Sequence, residues 1–373
     1  MRYYVISGEA SGDLHGSNLI KQLKMKDPQA KIRAWGGDLM EAAGANVVKH
    51  YRDLAFMGFA EVIANLRTIL RNLKNCKKDV LQFEPDVLIL IDYPGFNLRM
   101  AEFAHKEGIK VFYYISPQIW AWKQNRVKKI KAFVDEMFVI LPFEKDFYAK
   151  FGMDVHFVGH PLIDAVDQFR KGLENTQSSL VNEISAQKPL VVLMPGSRKQ
   201  EISKMLPLML KLVEKNSDFQ FVVAGAPGQD QQFYSEFLND SGVDLVFGKT
   251  YYLLSKAHAA LVTSGTATLE TAIFKVPQVV CYRGGSISYV IAKNLVKIKY
   301  ISLVNLIMDR EVVKELIQNE LNLTNLEKEF LKVAKEGVDR ENLLGLYQEL
   351  YTKLGGTGAS ELTADLMLKS LDP

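Results

Sequence analysis

The chain has little of what a disulfide-stapled, membrane-spanning or metal-dependent protein needs. Its 373 residues include two cysteines, Cys76 and Cys281, set in different halves and in no CxxC or CxH grouping. Neither a disulfide framework nor a zinc cluster is expected from them. No apolar run approaches the roughly 20 residues that cross a bilayer. The opening MRYYVISGEA runs directly into a strand-like segment, with no charged leader, apolar core or small-residue cleavage site, so the cytoplasm is the expected compartment. Formal net charge is +3, too small by itself to argue for nucleic acid, and none is expected as a partner. A P-loop GK[ST], a GxGxxG fingerprint, an HExxH helix, a DxD pair and a clustered His/Cys set are all missing. ATP hydrolysis, nicotinamide binding and a catalytic metal therefore lose support, and no cofactor is expected.

What is present is an alternation. Hydrophobic residues make up 48% of the chain, more than one core readily holds, since single cores seldom grow past about 250–300 residues. Strand-length apolar runs at Tyr3–Ser7, Lys31–Trp35, Val87–Asp92, Lys110–Ser116, Glu136–Leu141 and Val155–Gly159 are separated mostly by helix-period segments. The pattern restarts with Leu190–Pro195, Phe219–Gly225, Asp244–Gly248, Ala260–Ser264 and Gln278–Tyr282. Such alternation marks parallel sheets covered on both faces, and the expected fold is α/β, with two doubly wound domains facing a cleft. Residues 1–170 form the expected first domain and 171–350 the second, with the polar stretch Lys171–Lys188 at the boundary. After about Tyr300 the strands are expected to stop and helices to take over. A Gly355-Gly356-Thr357-Gly358 break then precedes a final short helix, Ser360–Lys369, and the terminal piece 351–373 could reach back across the cleft.

Ligands of open parallel sheets bind beyond the carboxyl ends of the strands, so the residues just after each apolar run are the candidates. Gly8-Glu9-Ala10-Ser11-Gly12-Asp13 and Ser264-Gly265-Thr266 each follow a strand-like run and open a helix, where free N–H groups and the positive dipole end attract phosphate. Gly8, Glu9, Ser11, Gly12 and Asp13 are thus candidate substrate contacts, as are Ser264, Gly265 and Thr266. Asp92 ends the run VLILI ahead of Tyr93-Pro94-Gly95-Phe96-Asn97, where a carboxylate on a proline-stiffened turn can take a proton from a hydroxyl; a turn-capping role fits the same residue. His15 and Glu9 are rival bases. Pro195-Gly196-Ser197-Arg198 offers a tight turn with a guanidinium fork suited to a pyrophosphate, although Arg198 could equally pair with Glu201. Glu270, one helical turn beyond Thr266, is placed to accept hydrogen bonds from ribose hydroxyls or to act as an ordinary first-turn acid.

Two stretches are basic. Between Val62 and Lys78 the apolar Val62, Ile63, Leu66, Ile69, Leu70 and Leu73 recur at helical spacing beside Arg67, Arg71, Lys74 and Lys78. That helix either packs on its own domain or lies on an anionic bilayer surface. Trp120–Lys131 joins two indoles to five cations and suits an interface or an acidic headgroup.

Seven strings occur together and in order: SGEASGD at Ser7–Asp13, DYPGFN at Asp92–Asn97, YISPQIWAW at Tyr114–Trp122, LPFE at Leu141–Glu144, GHP at Gly159–Pro161, PGSR at Pro195–Arg198 and SGTATLE at Ser264–Glu270. In this the chain resembles the lipid-A-disaccharide synthases from about residue 3 to about residue 316. The resemblance implies a GT-B fold, two Rossmann-like domains around a cleft with C-terminal helices, and metal-free inverting glycosyl transfer. The implied substrates are UDP-2,3-diacylglucosamine and 2,3-diacylglucosamine 1-phosphate, and the implied products a β-1,6-linked disaccharide monophosphate and UDP.

Carried over residue by residue, the resemblance makes Asp92 the base, Arg198 and the Ser264–Thr266 turn the diphosphate contacts, Glu270 the ribose contact and Asn305 a further substrate contact. Gly95 stands where many relatives have an acidic residue, which is expected to loosen the Asp92 turn, and Val304 replaces a common proline before Asn305. Substrates with long acyl chains raise the expectation of peripheral contact with the cytoplasmic face of the inner membrane, with Leu66, Ile69, Leu70 and Leu73 facing lipid. A homodimer with exchanged terminal helices is compatible with the family. A UDP-sugar epimerase of the same fold and a non-catalytic lipid-binding protein are the competing functions.

Overall fold

The computed structural model describes residues 1–54, 66–122, 124–175, 188–239, 241–284 and 299–371. The chain divides into two compact units, Met1–Ala165 with Leu354–Pro373, and Val166–Lys353. In the first, strands β1 (Arg2–Ile6), β2 (Lys31–Gly36), β3 (Asn46–His50), β4 (Val87–Ile91), β5 (Lys110–Tyr114), β6 (Glu136–Val139) and β7 (His156–Phe157) form one sheet. Every pairing in it is parallel, in the order β3-β2-β1-β4-β5-β6-β7. The helices between them are α1 (Ala10–Lys26), α2 (Asp38–Ala42), α3 (Leu66–Phe83), α4 (Pro94–Lys106), α5 (Ile119–Trp122), α6 (Val127–Phe133) and α7 (Pro142–Ala149). The run Val87-Leu88-Ile89-Leu90-Ile91 is buried at every position, as a strand covered on both faces must be. Tyr4, Ile6, Leu88, Leu90, Met100 and Tyr113 lie in one apolar cluster under these helices. Each fully buried large side chain there contributes roughly 1.5–3 kcal/mol.

Helix α8 (Pro161–Asn175) leads to the second unit, whose sheet contains β8 (Leu190–Met194), β9 (Gln220–Gly225), β10 (Asp244–Phe247), β11 (Ala259–Thr263), β12 (Gln278–Tyr282) and β13 (Lys314–Ile317). It is again parallel, in the order β10-β9-β8-β11-β12-β13. Its helices are α9 (Lys199–Val213), α10 (Gln231–Leu238), α11 (Thr250–Lys256), α12 (Thr266–Ile273), α13 (Leu303–Met308), α14 (Leu323–Ala334) and α15 (Val338–Lys353). Val191, Leu193, Leu206, Phe221, Leu261 and Phe330 belong to its core.

Strands do not stop at Tyr300. Strand β13 adds Lys-Glu-Leu-Ile to the edge of the second sheet, pairing with β12 in parallel register. Strand β3, with no fully buried position, is likewise an edge strand that the sequence did not announce. Edge strands are short and carry charges because an exposed apolar edge would recruit other chains, and this removes the apolar run by which a strand is recognised.

The terminal helix α16 (Ala359–Leu371) belongs to the first unit. The Asp164 carboxylate accepts from the backbone N–H groups of Gly358 (2.6 Å) and Ser360 (2.9 Å), capping the helix from a distant part of the chain. The Lys26 ammonium on α1 lies 2.7 Å from Asp365, and Lys110 donates to the Ser370 carbonyl. The glycine break ahead of α16 packs closely as well, with His160 N–H donating to the Leu354 carbonyl at 2.9 Å.

Helix α3 is amphipathic, but its apolar side is divided. Leu73 packs against the core of the first unit, Ile69 is half-buried and Leu70 is exposed, so the expectation that all of them face lipid is corrected for Leu73. Arg67, Arg71, Lys74 and Lys78 are exposed. Val62, Ile63 and the Leu66 side chain lie outside the described residues. The second basic stretch is not one helix: α5 is followed by a 3-10 turn at Gln124–Arg126 and then by α6, with Val127 and Ile130 buried. Among the described residues no helix is long and apolar enough to cross a membrane.

Candidate active site

The strand order of each sheet reverses once, between β1 and β4 in the first unit and between β8 and β11 in the second. At such a reversal the flanking connections leave on opposite faces, opening a crevice at the carboxyl ends of the two strands. Ser7–Asp13 and Asp92 follow β1 and β4; Pro195–Arg198 and Ser264–Thr266 follow β8 and β11. Each unit therefore carries its candidate residues at its own reversal.

In the first unit the two turns touch. A side chain at Gly8 would put its Cβ 2.4 Å from the Tyr93 ring, so only glycine lets the β1 turn lie under the turn that holds Asp92. Asp92 and Tyr93 both take left-handed backbone angles, φ 42° and 48°, and Ile115 at the end of β5 does the same at 64°. Left-handed non-glycine residues cost on the order of 1–3 kcal/mol each and persist only where surroundings fix them. Here the surroundings are polar and buried. The Asn97 amide donates to the carbonyls of Asp92 (2.7 Å) and Ile91 (3.1 Å), and the Tyr113 hydroxyl donates to the Asp92 carbonyl at 2.6 Å. Residue 95 has no part in this clamp: Gly95 is exposed on the first turn of α4, and a Cβ there would meet nothing.

Clamping the main chain fixes where the half-buried Asp92 carboxyl sits. Burial pushes its pKa up to about 7, the nearby Glu9 charge pushes in the same direction, and a hydrogen bond from the Tyr93 backbone opposes them. A carboxyl poised near neutrality is the form in which an aspartate exchanges a proton with a hydroxyl. His15, the rival, is buried and driven down to about 4 by desolvation, and it meets the ring of His160 edge-on at 6.3 Å. His160 lies lower still, at about 3, from burial and the His15 charge.

The rest of the first string divides by position. Glu9 is half-buried at the N-cap of α1, and Ser11 is exposed on its first turn. Gly12 is buried against Ser7. Asp13 is no open ligand contact: its carboxylate accepts from the backbone N–H groups of Gly37 (2.8 Å), Leu39 (3.1 Å) and Met40 (3.1 Å) and so caps α2.

In the second unit, Gly196 has φ 119°, and a Cβ there would lie 2.7 Å from that of Glu201. Glu201 reaches back to accept from the N–H groups of Ser197 (3.1 Å) and Arg198 (3.3 Å). These two donors serve the helix cap rather than a ligand. The Arg198 side chain is 65% exposed and lies 3.6 Å from Glu201. Gly265 and Thr266, at the start of α12, are exposed. Ser264 instead ties its hydroxyl to the Ile301 carbonyl at 2.8 Å. Glu270 accepts from the Tyr251 hydroxyl at 3.2 Å, and burial raises its pKa against that bond.

Asn305 is fully buried and fully bonded. Its amide donates to the Val313 carbonyl and to Glu315, both at 2.9 Å, while its oxygen accepts from Val312 N–H (2.7 Å) and Val313 N–H (2.9 Å). Glu315 also accepts from the N–H groups of Ile301 and Ser302 and from the Ser302 hydroxyl. The side chain thus leaves no group for a substrate; it organises the segment whose Ile301 carbonyl holds Ser264. Sequence reasoning missed Asn97 as the clamp although it closes the DYPGFN string, and Tyr113, Tyr251 and Glu315 carried no signal beyond ordinary strand and helix positions. Among the described residues no group of three or more His, Cys, Asp or Glu side chains could hold a metal ion.

Two parallel doubly wound units, each with its candidate turns at the strand-order reversal, define an α/β protein of the GT-B type. The fold is similar to that of UDP-GlcNAc 2-epimerase from Neisseria meningitidis bound to UDP-GlcNAc, with a TM-score of 0.72 at 14% identity, covering 99% of this chain and 100% of that one. It is also similar to the glycotransferase of kitacinnamycin, with a TM-score of 0.64 at 14% identity, covering 100% and 99%. Identities this low speak to the fold alone.

The sequence goes further. Residues 3–366 match the model of the family described as lipid-A-disaccharide synthetase. The lipid-A-disaccharide synthase of Syntrophus aciditrophicus is 39% identical over 372 residues, 98% of this chain and 96% of that protein. The corresponding protein of Geobacter metallireducens is 36% identical over 376 residues, 99% and 97%. The chain belongs to the lipid-A-disaccharide synthase family.

The Asp92 environment makes a direct prediction. Replacing Glu9 by Gln removes a neighbouring negative charge and should lower the Asp92 pKa from about 7 toward the ordinary carboxylate range. Carbon-detected NMR titration of labelled aspartates follows this; an unmoved Asp92 titration would mean that burial alone sets the shift.

Proposed function

We propose that the protein is a glycosyltransferase that joins UDP-2,3-diacylglucosamine to 2,3-diacylglucosamine 1-phosphate, giving the β-1,6-linked lipid A disaccharide 1-phosphate and UDP. The observation that carries this reading is Asp92, held on a clamped left-handed turn at the β1/β4 reversal with its pKa pushed up to about 7. Family membership supplies the substrates. Asp92 takes the proton of the acceptor 6-hydroxyl as that oxygen attacks the anomeric carbon from the face opposite UDP. One displacement inverts the centre, and the bonding pair leaves with the β-phosphate of UDP.

Negative charge grows on that phosphate as the bond breaks. The Arg198 guanidinium and the N-terminus of α12 at Gly265–Thr266 stabilise it, and Glu270 holds the ribose through its hydroxyls. Glu9 and Ser11 contact the acceptor at the rim of the β1 turn, with Gly8 and Gly12 shaping that turn. Asp13 and Asn305 keep structural roles.

Asp92→Asn should lower kcat by about 10²–10⁴ while leaving UDP binding nearly intact, because an amide cannot accept the hydroxyl proton. Activity of the unaltered protein should rise with pH through about 7, where Asp92 becomes the carboxylate, and fall tenfold per unit below it. A variant retaining more than roughly a tenth of wild-type kcat places the base elsewhere.

Both substrates carry acyl chains, and the protein meets them as a peripheral protein on the cytoplasmic face of the inner membrane. The exposed Leu70 beside Arg67, Lys74 and Lys78 on α3 supports this, since apolar insertion and roughly 1 kcal/mol per surface cation act together on an anionic bilayer. Leu70→Ser combined with Arg67→Glu and Lys74→Glu should weaken binding to phosphatidylglycerol vesicles in a cosedimentation assay without lowering the melting temperature. Unchanged vesicle binding would remove α3 from the membrane contact.

A further inference from the structure

Away from the Asp92 turn, helix α3 and strands β2 and β3 line a half-open cavity of about 470 Å³ that none of the roles above uses. Its lining is rich in donors: Arg33, Lys49 and Arg71 bring cations, and Asn72 and Asn75 bring amides. The one acid among the described lining residues, Asp79, is already occupied. The Arg33 guanidinium grips it through both carboxylate oxygens at 2.6 and 2.8 Å, and the Tyr4 hydroxyl donates to it at 2.6 Å. Against the upward push of burial, these bonds hold the Asp79 carboxyl below its usual range.

Lys49 pairs with Asp53 at 2.8 Å, but that pair is exposed, and an exposed pair yields readily to a stronger anion. With Arg33 taken up by Asp79, Lys49 and Arg71 are the remaining cations of the described lining, beside the amides of Asn72 and Asn75. Trp35, 4% exposed and part of the core cluster, is the aromatic residue of the lining. The volume lies within the range of small-ligand sites and exceeds what a bare phosphate fills. Trp35 stacks on Phe96 with centroids 5.4 Å apart, and Phe96 stacks on Tyr93 at 5.6 Å, so two aromatic contacts join this cavity to the residue after Asp92.

We propose that the cavity between α3 and the β2–β3 edge binds a phosphomonoester, with Arg71 and Lys49 on the phosphate and Asn72 and Asn75 on the group that carries it. Two sources have this chemistry: the 1-phosphate of the sugar acceptor and the phosphomonoester headgroup of an anionic lipid. The acceptor source rests on the transfer reaction proposed above. The binding itself does not, because it can be read without donor or turnover.

The test follows the indole N–H signals of the three tryptophans in a nitrogen-labelled sample, with Trp35 assigned by Trp35→Phe. Glucosamine 1-phosphate and glycerol 3-phosphate are added separately to the unaltered protein and to Asp92→Asn, with glucosamine as the phosphate-free control. A saturable shift of the Trp35 signal with a phosphorylated probe and none with glucosamine is expected, in both proteins. The double variant Lys49→Gln with Arg71→Gln should weaken that binding at least about tenfold, as loss of charge-assisted hydrogen bonds does. Preference for glucosamine 1-phosphate assigns the acceptor, preference for glycerol 3-phosphate assigns the lipid headgroup, and equal binding supports the shared chemistry. A Trp35 signal unmoved by either probe at about 20 mM, far above any useful affinity, overturns the proposal, as does equal binding by the double variant.

Discussion

A parallel strand can be followed by a helix on either face of its sheet, and where the choice changes, the sheet must open at that strand's carboxyl end. This constraint is met once in each unit, between β1 and β4 and between β8 and β11, and the rest of the functional arrangement depends on it. Ladder hydrogen bonds carry the strands to the edge of the crevice, where the backbone must turn sharply into a helix. In the first unit that turn is left-handed at two consecutive residues and is held from below by Asn97 and Tyr113. In the second, Gly196 and Glu201 close one turn while Ser264, Ile301, Glu315 and Asn305 tie down the other. Side-chain-to-backbone hydrogen bonds hold these edges, buried around Asn97 and Asn305 and exposed at Glu201.

The electrostatics of the two units are opposed in a way that suits the proposed reaction. Two carboxyls, Asp92 and Glu9, share the β1/β4 reversal, and their repulsion adds to burial in keeping Asp92 near neutrality. The β8/β11 reversal presents a guanidinium and an exposed helix start, groups that favour an anion. In the proposed reaction the first unit receives the proton and the second stabilises the departing phosphate.

The sheet interiors were legible in the sequence because a strand covered on both faces has to be apolar throughout, as Val87–Ile91 is. The edge strands β3 and β13 were not, since half-exposed strands keep their charges. Site candidates separated along the same line. Asp92 is a candidate from its place after an apolar run, but its clamp carries no such signal, because Tyr113 reads as one more strand aromatic and its hydroxyl meets a carbonyl 21 residues away. Asp13 and Asn305 looked like ligand contacts and proved to be bonded within the protein. A short polar side chain gives the same sequence signal whether it faces a substrate or a backbone from another loop. Leu73 on α3 illustrates the equivalent ambiguity for apolar residues: helical spacing identifies an apolar stripe without saying which part of it the core covers.

The central claim is that the protein carries out transfer between two substrates rather than rearrangement of one, which is the point at which the family and the similarly folded epimerases part. Incubation with UDP-2,3-diacylglucosamine, with and without 2,3-diacylglucosamine 1-phosphate, and with UDP release and the fate of the donor sugar followed together, measures it directly. The account predicts UDP in step with disaccharide only when the acceptor is present, and an unaltered donor without it. Epimerised donor, or UDP release that ignores the acceptor, would contradict it.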